Sequence, residues 1–159
     1  MLHQTSICFV CLGNICRSPT AEAIMLQLLK QHKITSIIVD SAGTSAFHVG
    51  EEADARSRKA GEARGYQFVS RARQFTAQDL KRFDYIVAMD TQNLRNIRAL
   101  CTDQNERDKT YLLRDFDPRS PSNASVPDPY YGGSRGFEEV IDICLRGCNG
   151  LLQTIQKQL

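Results

Sequence analysis

Residues 5–19 read Thr5-Ser6-Ile7-Cys8-Phe9-Val10-Cys11-Leu12-Gly13-Asn14-Ile15-Cys16-Arg17-Ser18-Pro19. Three signals meet in this stretch. The run over 5–10 (TSICFV) is compact and apolar, which predicts a strand. Gly13 and Asn14 then supply the residue types that tolerate the positive φ of a tight loop. Ser18 followed by Pro19 marks a helix start, with Ser18 as N-cap and Pro19 at the first helical position. Ile24, Met25, Leu28 and Leu29 share one side of the helix predicted over 19–32. Strand, loop and helix in that order form the opening unit of an α/β sheet.

Further strands are predicted at 35–40 (TSIIVD), 84–89 (DYIVAM) and 109–113 (KTYLL). Their apolar runs are continuous rather than alternating, as in strands buried on both faces of a parallel sheet. Helical patterns occupy 53–64, 76–83, 91–100 and 137–159; the last carries Val140, Ile141, Cys144, Leu145, Cys148, Leu151 and Leu152 at helical spacing. The expected fold is α/β: a single domain over residues 1–159, built on a four-stranded parallel sheet with helices on both faces. Its phosphate-binding loop follows strand one. One composition shift stands out. Residues 114–136 hold four of the five prolines and three glycines, and so long an irregular loop in a compact domain points to function.

A length of 159 residues suits one domain with a real core. Lys+Arg 20 against Asp+Glu 18 leaves a net charge of +2, without the strongly basic face of a nucleic-acid binder. Arg56, Arg58, Lys59, Arg64, Arg71, Arg73, Lys81 and Arg82 form the most basic segment, read as a solvated surface or a weak field for anions. The longest apolar run, 7–12, has six residues, far short of the roughly 18 of a membrane helix. The start MLHQTSICFV has no basic region before a long apolar stretch, so no secretory signal is visible. A cytoplasmic protein without membrane insertion is expected, as a monomer or weak homodimer. The six cysteines then read as thiols in a reducing compartment. Cys144 and Cys148 share a helix face but lack a second ligand pair, and three histidines form no His-Glu-x-x-His pattern, so no metal or other cofactor is expected.

Ligands of such sheets bind beyond the C-terminal strand ends. There the loop Leu12, Gly13, Asn14, Ile15, Cys16 would turn its backbone N–H groups onto one point, and a helix N-terminus adds about half a positive charge. Arg17 offers a planar fork for two phosphate oxygens. Cys11 sits where the same dipoles favour its thiolate, a nucleophile facing a bound electrophile. Cys101 and Arg107 repeat the spacing, but Asp103 and Glu106 lie between them and would repel phosphate. A thiol nucleophile needs an acid for the leaving oxygen, and no histidine lies in a suggestive motif. Asp128, within Pro127-Asp128-Pro129-Tyr130-Tyr131-Gly132-Gly133, reads either as that acid on a stiffened loop or as an Asx-turn carboxylate. Tyr130 and Tyr131 offer walls for an aromatic substrate.

At these residues the chain resembles the low-molecular-weight protein tyrosine phosphatases. The resemblance spans essentially the whole length, through the Cys11–Ser18 loop, Asp40-Ser41-Ala42-Gly43-Thr44, Met89-Asp90 with Asn93-Leu94, and Asp128-Pro129-Tyr130-Tyr131. It implies phosphotyrosine in a protein or peptide as substrate, and no cofactor. Cys11 would take the phosphoryl group as phosphocysteine, Arg17 would bind it, and Asp128 would serve as general acid and then base. Ser18 would donate to the Cys11 thiolate, while Asn14, helped by Ser41, would hold the loop. Phe47 would line the cleft, or pack in the core. Cys16 would form a reversible disulfide with Cys11, or pack beneath the loop. Relatives commonly have a His where this chain has Ser70, and those acting on phosphoarginine tend to have Thr at the place of Ile15. Leu12, Phe47, Tyr130 and Tyr131 would make a cleft deep enough to prefer tyrosine over serine. The alternatives are an arsenate reductase on the same fold, for which residues 84–93 hold none of the expected cysteines, and a phosphotyrosine-binding regulatory module, which would need neither thiol nor acid.

Overall fold

Every residue of β1 (Thr5–Cys11) is buried, and alternate side chains enter different cores. Ile7, Phe9 and Cys11 join one cluster; Cys8 and Val10 join the other. A strand with apolar side chains on both faces can only be central, and burying each large one contributes about 1.5–3 kcal/mol. In the structure, a computed structural model describing residues 4–130 and 132–158, β1 lies between β2 (Ile37–Gly43) and β3 (Tyr85–Ala88), with β4 (Thr110–Leu112) outside β3. All three pairings are parallel.

On one face α1 (Arg17–Gln31) and the long α6 (Ser134–Gln158) bring Ile24, Met25, Val140, Cys144 and Leu151 onto Ile7 and Phe9, with α2 (Ala55–Glu62) alongside. On the other, α3 (Asp79–Arg82) and α4 (Thr91–Arg98) supply Leu80 and Ile97 against Cys8 and Val10, with Phe83 just after α3. Short α5 (Gln104–Arg107) and a 3-10 turn (Leu113–Phe116) flank β4. In register, Cys11 stands opposite Gly43, and Val10 opposite both Ala42 and Ala88. The chain leaves β1 for β2 on one side and reaches β3 on the other. That reversal opens a crevice at the strand ends, where Leu12, Thr44 and Met89 follow.

The expected architecture is found; several boundaries move. β1 runs on to Cys11 and β2 begins at Ile37 but continues to Gly43. Ser18 is not the N-cap of α1: Cys16 is, and Pro19 stands third in the helix. Of residues 76–83 only Asp79–Arg82 are helical, because Asp79 turns its carboxylate back onto the Thr76 N–H at 2.8 Å and closes a turn there. α2 starts after Asp54, whose side chain caps the Arg56 N–H. The 114–136 segment remains irregular after the 3-10 turn, yet Val126 is buried and its N–H donates to Met89 O at 2.7 Å, beside the end of β3. Tyr131, expected as a cleft wall, lies outside the described residues.

Candidate active site

Cys11 ends β1, and its thiol faces a loop folded back over it. Asn14 takes the left-handed conformation, φ 58°, which turns its N–H onto Cys11 Sγ at 3.3 Å. Gly13 does not adopt positive φ; it lies against the His48 ring, with Cδ2 2.9 Å from where a Cβ would stand. Gly43 answers a harder constraint, since a Cβ there would meet Leu12 O at 2.8 Å.

The Asn14 amide donates to Ser18 Oγ (2.8 Å) and to Ser41 Oγ (2.9 Å), and its Oδ1 accepts the Arg73 N–H (3.0 Å). With both hydroxyl oxygens already accepting, the two serine protons point onward. Ser18 Oγ lies 3.0 Å from Cys11 Sγ, where it can donate to a thiolate, and 3.4 Å from the Ala42 carbonyl oxygen, the other acceptor within reach of its proton. Ser41 donates to Glu22 Oε1 at 2.6 Å, and Ser70 reaches the same oxygen at 2.7 Å. So Ser70 joins, through Glu22, the network that supports the loop. Glu22 is buried, and burial pushes its carboxyl above the usual range against the pull of the two hydroxyls. Arg73 is held in turn by Asp40 and Asp79.

Arg17 is 3% exposed. Its Nη1 donates to Asp90 Oδ2 at 2.6 Å and Val126 O at 3.1 Å, which fixes the plane of the guanidinium. Burial pulls its pKa down, but Cys11 and Asp90 outweigh burial and raise it. The Nη2 edge faces Asp128 Oδ2 at 3.7 Å. Asp128 also accepts the Tyr130 N–H on Oδ1 at 3.1 Å. The Asx-type turn is thus present, and it aims the second oxygen of Asp128 toward Arg17.

A cleft of about 300 Å³ opens above Cys11 and Arg17. Leu12, Ile15, Phe47, His48 and Tyr130 wall it, and Asp128 stands at its edge. Phe47 is 84% exposed, which removes the core alternative for it. Cys16 is buried with Ile15, Ala72 and Phe137; burial, partly offset by a hydrogen bond with Ser57, pushes its thiol up to about 12. Its thiol is free, packed beneath the loop. Sequence reasoning missed two residues here: Glu22, which acts on the loop from α1, and His48, bound to Glu51 at 2.8 Å and edge-on to Phe47, which had no motif around it. Asp90 was named only within a segment of the resemblance, without a role; its place before a helix was the available signal.

Arg56, Arg58, Arg64, Arg71 and Arg73 each pair with a carboxylate. Among the described residues no three His, Cys, Asp or Glu side chains are placed to hold a metal.

The family model described as low molecular weight phosphotyrosine protein phosphatase matches residues 6–159. The chain belongs to that family. A Synechocystis protein, named as a putative low molecular weight protein-tyrosine-phosphatase, is 45% identical over 152 residues, 95% of this chain and 96% of the relative. The crystal structure of an Entamoeba histolytica protein tyrosine phosphatase with Hepes in the active site is 44% identical, at a TM-score of 0.92 over 97% of this chain and 98% of the other. Drosophila arginine phosphatase, at 33% identity, superposes with a TM-score of 0.87 over 94% of this chain and 97% of the other. As in the phosphatases it resembles, four parallel strands and flanking helices carry the fold, and this low-molecular-weight phosphatase has no helix among its described residues long and apolar enough to cross a membrane.

Proposed function

We propose that the chain hydrolyses phosphotyrosine in proteins or peptides, and simple aryl phosphates, through a phosphocysteine on Cys11. The observation that carries this reading is the thiol on the cleft floor, facing Asn14 N–H and Ser18 Oγ, with the Arg17 edge and Asp128 beside it. Such a thiol has donors for its charge, a cation for the incoming phosphate, and an acid for what leaves. Backbone N–H groups of residues 12–16 and the Arg17 Nη2 edge bind the equatorial oxygens, where charge grows in the transition state. The Cys11 thiolate attacks phosphorus in line. The bond to the tyrosyl oxygen breaks, and protonated Asp128 gives that oxygen its proton. Water then attacks the phosphocysteine, the Asp128 carboxylate takes the proton, and the thiolate departs from inorganic phosphate. Asp90 and Val126 O hold Arg17 flat throughout.

The walls favour an aryl substrate. Ile15, Phe47 and Tyr130 present apolar surface to a flat ring, whereas a phosphoarginine guanidinium would find no partner for its N–H groups on Ile15. The reading includes a single domain acting as a monomer or weak homodimer in the reducing cytoplasm, where Cys11 stays reduced. It also includes a reversible Cys11–Cys16 disulfide, formed as a peroxide is reduced; what supports it is that both are free thiols five residues apart on one loop.

Phosphate release from an aryl phosphate, under reducing conditions and without metal, tests the reading. Cys11→Ser is expected to abolish turnover, and Asp128→Ala to slow it by about 10²-fold or more. A phosphotyrosine peptide is expected to be cleaved faster than phosphoarginine. Wild-type protein that binds phosphate yet turns nothing over would overturn the phosphatase mechanism and favour a binding module.

A further inference from the structure

Asp128 sits on an irregular segment, so something must hold that segment at the cleft edge. The chain of contacts runs through α2. Asp54 N–H donates to Ile15 O at 2.8 Å, tying the start of α2 to the Cys11 loop. The Asp54 carboxylate accepts the Arg56 N–H at 2.8 Å and grips the guanidinium with both oxygens, at 3.1 Å from Nε and 2.9 Å from Nη2. So gripped, Arg56 lies 5.3 Å from the ring centre of Tyr130 and 4.7 Å from that of Phe137, both within cation–π range. Tyr130 in turn fixes Asp128 through its backbone N–H at 3.1 Å. Phe137 is buried against Ile15 and Cys16, which closes the circuit at the loop where it began.

We infer that Arg56 is a positioning residue for Asp128: pinned by Asp54, it is the post against which Tyr130 packs, and it sets the distance of the Asp128 carboxyl from the departing oxygen. The inference rests on the phosphatase reading above. The guanidinium of Arg56 is engaged by Asp54, Tyr130 and Phe137, and a planar fork suits the post because it can be gripped edgewise while stacking on rings.

A misplaced acid hurts most where the leaving oxygen most needs a proton. The test compares kcat/KM, which ends at departure of the leaving group, for phenyl phosphate and for dinitrophenyl phosphate, whose phenolate leaves unaided. Arg56→Ala is expected to lose about tenfold on phenyl phosphate and less than about twofold on the dinitrophenyl ester. Arg56→Lys, which keeps the cation over the rings but not the fork, recovers part of the loss. Asp54→Asn retains a capping oxygen and frees the guanidinium, and is expected to show the same split in weaker form; it decides the matter should Arg56→Ala fail to fold by circular dichroism. Equal losses on both esters, or none on phenyl phosphate, overturn the positioning role alone. A wild type without Cys11-dependent turnover overturns the phosphatase reading and this role with it.

Discussion

At Glu22 a carboxylate is buried and, among the described residues, no cation is in hydrogen-bond contact with it; its oxygen Oε1 receives the hydroxyls of Ser41 and Ser70. Burial raises its pKa, so the folded state holds a proton there more tightly than the unfolded chain does. Above both pKa values the ionised group costs stability, and that cost fades as pH falls through the raised folded value. Glu22→Gln keeps an acceptor and removes the charge. It is expected to melt higher than wild type at about pH 8 and to lose the advantage in acid, as thermal scans across pH would show. Glu22→Ala leaves two hydroxyls without their acceptor and is expected to lower kcat/KM about tenfold, because Asn14 is then less firmly held in its left-handed form. Equal melting of the Gln variant and wild type at all pH values would contradict this account. Ser41 was read as helping Asn14, but the part of Glu22 was not legible in the chain. The Cys11, Arg17 and Ser18 constellation could be read because it fits in eight consecutive residues. Glu22 meets Ser70 across 48 positions, and Arg17 meets Asp90 across 73.

Elements were legible where apolar periodicity defines them and shifted where polar side chains end them. Asp54, Asp90 and Asp103 each cap the helix that follows, and Asp79 replaces a helical turn with a closed loop. The 3-10 turn and the segment after it depend on another such carboxylate. Asp117 accepts the Arg119 N–H at 2.9 Å and pairs with Arg146 of α6 at 3.1 Å, tethering the segment that leads to Asp128. Burial pushes its pKa up, but these partners outweigh burial and lower it. A depressed carboxyl contributes stability that is present above the ordinary carboxylate pKa of about 4 and is lost as pH falls through its own lower value. Wild type is therefore expected to lose melting temperature below about pH 4 more steeply than Asp117→Asn. Arg146 is 41% exposed, so solvent screens the pair and the difference is small. Parallel acid limbs for the two proteins would remove Asp117 from the tether.

The whole molecule depends on how closely α6 can approach the sheet. This helix of 25 residues carries Phe137 beneath the Cys11 loop at one end and packs on the 3-10 turn farther along. Its glycines at 147 and 150 weaken a helix when read as sequence. The packing gives their reason: three residues apart, they face Leu113 and Phe116, also three apart. A Cβ on Gly147 would stand 2.6 Å from Leu113 Cγ, and one on Gly150 only 1.8 Å from Phe116 O. The second contact is with backbone, which cannot swing aside, so an added methyl must lift the helix from the turn. Gly150→Ala is thus expected to cost about 3 kcal/mol or more despite the better helix propensity of Ala, lowering the melting temperature by roughly 6–12 °C. Gly133→Ala, with nothing within 4 Å of the new Cβ, serves as the control and is expected to stay within about 0.5 kcal/mol of wild type. Because the lifted helix also carries Phe137 and the Arg56 contact on it, Gly150→Ala should lower turnover of phenyl phosphate even well below its melting point. A variant that melts and turns over like wild type would show that α6 can ride higher on the turn without disturbing the site.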